Sequence, residues 1–361
     1  MKGRAVPEEL VERVWRVWTP RFARVGVLME DITELARRIE VWDDWCAEWM
    51  EVAQVHEQLG ERWLELGDEL SAAEAFQRAS IYYHVSAFVY FRDLDLHNRG
   101  YHKMVETYER SLPLLGGAIE KVRFPFEDTE LVGLLSTPKG ADNPPVVILI
   151  PGLDSSKEGR HAGRAGYLAR GMAVFSIDGP GQGEMSLTTH IRPDYEAPIA
   201  AAIDYLEGRG DVDASRVGLV GSSLGGYYAP RAAAFEPRVK ACVAVSGVFQ
   251  SSSRRREMMP VTREAYRHYL GAADDEEAAT LASRLSLEGA AEKISCPLLV
   301  MGGKQDPLVH WENQQMLYDA AAGPKELHIF DEGNHSLQNI PHKFLPLQLI
   351  FLKRHLVEGS A

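Results

Sequence analysis

The segment Val217-Gly218-Leu219-Val220-Gly221-Ser222-Ser223-Leu224-Gly225 runs from an apolar strand into G-x-S-x-G and then into a stretch of small residues. A serine at the tip of so sharp a turn needs neighbours without bulk, so that its Oγ points outward while the backbone folds back beneath it. Gly221 and Gly225 meet that need. The strand-turn-helix context makes Ser223 the candidate nucleophile. G-x-S-x-G also arises by chance in Gly/Ser-rich loops, so its weight depends on finding an acid and a base downstream.

Two more strand-then-loop segments complete the order nucleophile, acid, base. Leu298-Leu299-Val300-Met301 leads into Gly302-Gly303-Lys304-Gln305-Asp306, and Leu327-His328-Ile329-Phe330 leads into Asp331-Glu332-Gly333-Asn334-His335. Asp306 and His335 are therefore the candidate acid and base. All three residues are expected at the carboxyl edge of one parallel sheet, where open α/β sheets bind ligands. Asp331 is the rival acid, but four residues before His335 it reads as a loop former. Acyl chemistry also needs backbone N–H donors for the oxyanion. The residue after the nucleophile, Leu224, supplies one amide. The turn after Val146-Val147-Ile148-Leu149-Ile150 supplies the other, at Leu153, with Asp154 next. The same loop also reads as a plain strand-to-helix connection capped by Asp154 or Ser155.

Between these loops, Asp178-Gly179-Pro180-Gly181-Gln182-Gly183-Glu184 resembles the D-G-P-G-Q-G-E signature of one α/β-hydrolase branch. That branch holds the FrsA-like esterases, the 2,6-dihydroxypseudooxynicotine hydrolases and fungal hydrolases that shorten polyketides. The resemblance covers about residues 121 to 357, and the family's N-terminal helical region is similar in size and place to the first part of this chain. It implies Ser223, Asp306 and His335 as the triad, the same three residues that the strand-end pattern selects. It also implies cleavage of a carbon-carbon bond next to a ketone, with an ordinary carboxylic-ester hydrolase as the alternative. A glutamate associated with one of these enzymes has its nearest match at Glu257, within Arg254-Arg255-Arg256-Glu257, although the flanking residues depart from the pattern.

The chain divides near residue 120. Residues 1–118 read as an N-terminal helical domain. Leu10, Val14, Val17 and Trp18 mark one apolar face, and Trp45, Met50, Val52, Val55, Leu59 and Trp63 mark another on a longer helix. Residues 60–79 resemble one tetratricopeptide-like hairpin, but no second copy occurs at the repeat spacing. Of the aromatic residues there, core packing explains most; Tyr83 or His84 bonding a substrate ketone is the sharper alternative. Beyond residue 119, strands are expected at 122–126, 130–136, 146–150, 172–177, 216–220, 239–245, 297–302 and 326–330. The fold class is α/β: a mostly parallel eight-stranded sheet flanked by helices, its core running over 119–248 and 293–361. The interval 249–292, beginning at Phe249, is a helical insertion where a lid would be built, with Phe249 facing the substrate. Together with the N-terminal helices it is expected to enclose the site.

With 361 residues, 45% hydrophobic and 25% charged, the chain can bury a large core. A net charge of -13 argues against nucleic acid and anionic membranes as partners. No transmembrane run or signal peptide is read from the sequence. Cys46, Cys242 and Cys296 lack metal-type spacing, so no metal is expected, and free thiols suit a reducing cytoplasm. Asp178 to Gly183 lacks the glycine spacing of a dinucleotide loop, so no organic cofactor is expected either. The partner is a small-molecule carbonyl substrate, and a homodimer is compatible with this reading. The reading from another class is an inert hydrolase-fold binding protein whose helical hairpin recruits a partner.

Overall fold

Beyond residue 119 the apolar runs are short, rich in valine, isoleucine and leucine, and separated by helical segments, which is the pattern of strands buried on both faces. In the computed structural model, which describes residues 8–251 and 258–359, these runs form one eight-stranded sheet. The strands are β1 (Glu120–Phe126), β2 (Thr129–Ser136), β3 (Pro145–Ile150), β4 (Ala173–Asp178), β5 (Asp213–Ser222), β6 (Val239–Val245), β7 (Leu298–Gly303) and β8 (Lys325–Phe330). Their order is β1-β2-β4-β3-β5-β6-β7-β8. β2 is antiparallel to β1 and to β4, whereas β3 through β8 are mutually parallel. All eight predicted strands are present, with no end displaced by more than three residues. The parallel register carries the functional consequence: β3, β5, β7 and β8 all end at the same edge.

Chain compactness separates Met1–Ile119 from Glu120–Ala361. The first unit contains α1 (Glu8–Val25), α2 (Met29–Arg38), α3 (Trp45–Glu65), α4 (Glu69–Ala87) and α5 (Leu94–Ser111). Asp68 caps α4 by accepting from the Ser71 amide at 3.0 Å, and Asp93 does the same for α5 through Leu96. Trp42, Trp45 and Trp49 are fully buried, with Trp42 stacked on Trp45 and Phe22 edge-on to Trp49. The predicted apolar face of α3 is incorrect. Its buried stripe is Trp45, Cys46, Trp49, Ala53, His56 and Gly60, while Val55 and Leu59 are 51% and 37% exposed. Close contacts with α4 and α2 decide the phase: a Cβ on Gly60 would lie 2.5 Å from the Phe76 ring of α4, and His56 bonds Asp31 of α2 at 3.1 Å. A hydrophobicity count gives no weight to glycine or histidine, and those two residues set the face.

The second unit adds α6 (Arg164–Leu168), α7 (Glu196–Glu207), α8 (Gly225–Phe235), α9 (Pro260–Tyr269), α10 (Asp275–Ser283), α11 (Glu312–Ala320) and α12 (Pro341–Leu356) around the sheet. One face of the sheet presents Val147, Val174, Val220, Val243 and Leu299 to Phe344, Phe351, Leu352 and Leu356 of α12. The 249–292 insertion leaves and returns as a two-stranded stalk. Ser251 donates to the Leu285 carbonyl and Leu287 to the Phe249 carbonyl, and α9 and α10 lie between. Among the described residues no helix is long and apolar enough to cross a membrane.

Candidate active site

Ser223 sits between β5 and α8 with φ +60, a left-handed conformation that a side chain adopts only where the surroundings hold it. The flanking glycines make the turn possible. A Cβ on Gly221 would lie 1.8 Å from the Gly225 carbonyl oxygen, and one on Gly225 would lie 2.5 Å from that of Ile150. Any other residue at either position would push strand, helix and the end of β3 apart. The Ser223 amide donates to the Val245 carbonyl at 2.9 Å, which ties the elbow to the end of β6.

The acid and base meet directly. His335 Nδ1 lies 2.8 Å from Asp306 Oδ2 and 3.0 Å from Oδ1, and the Asp306 side chain is fully enclosed. Asp306 Oδ1 also accepts from the amides of Leu308 and Val309 at 2.8 and 2.9 Å. A carboxylate held by two amides acts as acceptor, so the proton on the ring belongs to Nδ1 and the Nε2 lone pair is left to take a proton. Asp331 takes no part in this arrangement. It is a surface residue paired with Lys304 at 2.8 Å, and that ammonium holds its carboxyl below the usual range.

Two serines absent from the sequence expectations join the loops. Ser246, at φ +49 after β6, donates its amide to the Met301 carbonyl, and its Oγ accepts from the Ser336 amide at 3.1 Å. The residue next to His335 is thereby bound to the strand that binds Ser223. Neither serine has a motif, and the turn after an inner strand is the only signal available in the sequence.

The loop after β3 packs against the candidate nucleophile: a Cβ on Gly152 would lie 3.6 Å from Ser223 Oγ. Leu153 is buried in this loop, and Leu224 is buried at the start of α8. The loop ends at Lys157, a fully buried ammonium ringed by carboxylates, with Asp178 at 3.0 Å and Glu158 and Glu184 both at 2.6 Å. Burial alone would lower its pKa, but the three carboxylates outweigh it and hold the ammonium well above its usual value. The Lys157 amide also donates to Asp178 Oδ1 at 2.7 Å. Gly183, at φ +46, leaves room for this carboxylate, since a Cβ there would lie 2.0 Å from Asp178 Oδ2. Sequence reasoning reads residues 178–184 as a family signature and misses Lys157, because an isolated lysine reads as surface.

The remaining described candidates have partners within their own units. The Tyr83 hydroxyl donates to Glu57 at 2.7 Å, and His84 is buried edge-on to Tyr101, both within the first unit. Phe249 is buried at the base of the insertion, with its amide donating to Asn313 Oδ1 at 3.0 Å. Glu257 lies outside the described residues. Among those described, no cluster of three histidine, cysteine or acidic residues is arranged to hold a metal ion.

Comparison with known proteins agrees with this architecture. The family described as esterase FrsA-like matches residues 41–340. The chain is 31% identical over 298 residues to 2,6-dihydropseudooxynicotine hydrolase of Paenarthrobacter nicotinovorans, covering 82% of this chain and 80% of the relative. It is 35% identical over 223 residues to the hydrolyase poxO of Penicillium oxalicum, covering 56% of this chain and only 52% of that protein. The crystal structure of a 2,6-dihydroxy-pseudo-oxynicotine hydrolase superposes with a TM-score of 0.85 at 28% identity, over 94% of this chain and 96% of the other.

Proposed function

The chain belongs to the esterase FrsA-like family and is a hydrolase, and from that premise we propose that it is a serine hydrolase that splits a carbon-carbon bond next to a ketone. The observation that carries the reading is the enclosed Asp306 bonded to His335 Nδ1, at the sheet edge where Ser223 occupies the strained elbow. In this reading His335 Nε2 takes the Ser223 proton as Oγ adds to the ketone carbon. The amides of Leu153 and Leu224 receive the oxyanion, and Asp306 stabilises the imidazolium.

Collapse of the tetrahedral intermediate breaks the carbon-carbon bond and leaves an acyl-serine. The departing carbanion takes the proton from His335. Water then adds to the acyl-enzyme with His335 as base and releases a carboxylic acid. A carbanion leaves only when an adjacent carbonyl or electron-poor ring spreads its charge, so the substrate class is a 1,3-dicarbonyl or an aryl ketone. The family's own description favours a second reading, ester hydrolysis, which uses the same groups with an alkoxide as leaving group. All three cysteines are free thiols, which suits our assignment to a reducing cytoplasm.

Incubation with 1-phenyl-1,3-butanedione in ¹⁸O-water decides between the two. Carbon-carbon cleavage gives one carboxylic acid carrying ¹⁸O and one methyl ketone, in amounts that Ser223→Ala abolishes. Turnover of p-nitrophenyl butyrate with none of a diketone and aryl-ketone panel would establish the ester reading instead.

A further inference from the structure

Gln182 is fully buried and lies between the oxyanion loop and the nucleophile's helix. Its Oε1 accepts from the Gly179 amide at 3.2 Å and from the Tyr195 hydroxyl at 2.5 Å. Two donors on one side fix which end of the amide is oxygen. The Nε2 end then donates to the Pro151 carbonyl at 2.6 Å and, more weakly, to the Gly152 carbonyl at 3.4 Å.

The second contact has a consequence for the site. Across a planar trans peptide the C=O and N–H point in opposite directions. A Gly152 carbonyl turned toward Gln182 therefore sends the Leu153 N–H to the opposite side, and Gly152 is the residue packed against Ser223. Tyr195 in turn stacks on Tyr228 of α8, ring centroids 3.9 Å apart, and α8 begins two residues after Ser223. One path of contacts thus runs from the nucleophile's helix through Tyr228, Tyr195 and Gln182 to the oxyanion loop. At the loop's far end, the Lys157 amide and ammonium grip Asp178, the first residue of the same 178–184 segment.

We propose that Gln182 is a positioning residue for the oxyanion hole: pinned by Tyr195, its amide turns the Gly152–Leu153 peptide so that the Leu153 N–H faces the oxygen developing beside Ser223. The inference rests on the serine-hydrolase reading above. It gives the buried glutamine of the signature a part in the chemistry without contact to substrate.

The test compares the full-length parent with Gln182→Glu and Tyr195→Phe. The first keeps the acceptor for Tyr195 and Gly179 but removes the donor to the loop. The second keeps the ring stack and removes only the hydroxyl that pins Oε1. Three quantities are measured: the second-order rate of Ser223 labelling by a fluorophosphonate, kcat and KM on p-nitrophenyl butyrate, and the Ki of 1,1,1-trifluorooctan-2-one, whose serine adduct carries an oxyanion. Loss of an oxyanion donor costs about 100-fold or more in kcat, so Gln182→Glu is expected to lose on the order of 100-fold in kcat and in labelling, with KM within about threefold. Tyr195→Phe is expected to lose roughly three- to tenfold, as partial misalignment of the same donor. In both variants Ki should weaken in proportion to the fall in kcat/KM. If Gln182→Glu does not fold, Tyr195→Phe decides alone. Parental kcat, labelling and Ki in the variants that fold would overturn the proposal, as would a change confined to KM. Labelling of Ser223→Ala at the parental rate would remove the nucleophile reading and this inference with it. Normal loss of labelling in Ser223→Ala with no effect at Gln182 or Tyr195 removes the inference alone.

Discussion

At the scale of single residues, the Asp306–His335 contact separates two carboxylates that the sequence leaves in competition. Asp306 is enclosed and bonded by two backbone amides, whereas Asp331 pairs with Lys304 in solvent. Asp306→Asn should keep the shape of the site but favour the wrong ring tautomer, lowering kcat roughly ten-thousand-fold as in other triads. Asp331→Asn should leave kcat within about threefold, as expected for a residue held only by a surface pair. A steady-state comparison of the two variants checks both, and a reversed order would reassign the acid. The candidate residues Ser223, Asp306 and His335 stand out in the sequence because each comes after an apolar strand, and the structure joins the last two. Ser246 and Lys157 do not stand out, because their partners are backbone groups or distant carboxylates that leave no local pattern, and Gln182 is visible only as a letter of the signature.

At the scale of elements, the inner strands are readable because strands such as β3, β4 and β7, buried on both faces, give continuous apolar runs, and β1 is readable by its alternation; the face of α3 is not, because Gly60 and His56 help set it. The loop between β3 and β4 carries a measurable charge effect. Burial, with Arg164 adding to it, holds the His161 imidazole at about 3 against an ordinary 6.5. Below pH 6.5 the unfolded chain takes up a proton that the folded chain refuses until about pH 3, so this contribution to stability is complete above 6.5 and is lost as pH falls between those values. Burial lowers His56 and His268 as well, with the same sign. The urea midpoint should therefore fall between pH 7 and pH 4, and His161→Gln should flatten that slope. An unchanged slope would show that His161 titrates normally. In the signature segment, Gly183→Ala would place a Cβ 2.0 Å from the Asp178 carboxylate at a positive φ. Its melting temperature should drop by several degrees, about 2 to 4 °C for each kcal/mol lost in a domain of this size; an unchanged melting temperature would show that the segment yields without strain.

At the scale of the whole molecule, the sequence suggests that the N-terminal helices depend on the rest of the chain, because six of their residues are tryptophans that need burial. Trp18, Trp42, Trp45 and Trp49 are buried, and their ring contacts are with Phe22, Tyr82, Phe88, Tyr90, one another or Trp15, all within Met1–Ile119. Tryptophan content therefore gives no argument for enclosure of the substrate. A chain starting at Ala118, assayed on p-nitrophenyl butyrate and on bulky aryl ketones, separates the alternatives: enclosure requires loss of the bulky substrates with the ester retained, and full activity on both would make the helices a separate module. The assignment of Ser223 as the nucleophile of a working triad is tested most directly by fluorophosphonate labelling followed by peptide mass mapping. The expected result is a single adduct on Ser223, absent in Ser223→Ala, with turnover of that variant reduced on the order of a million-fold. An adduct on another residue, or parental turnover without Ser223, would contradict it.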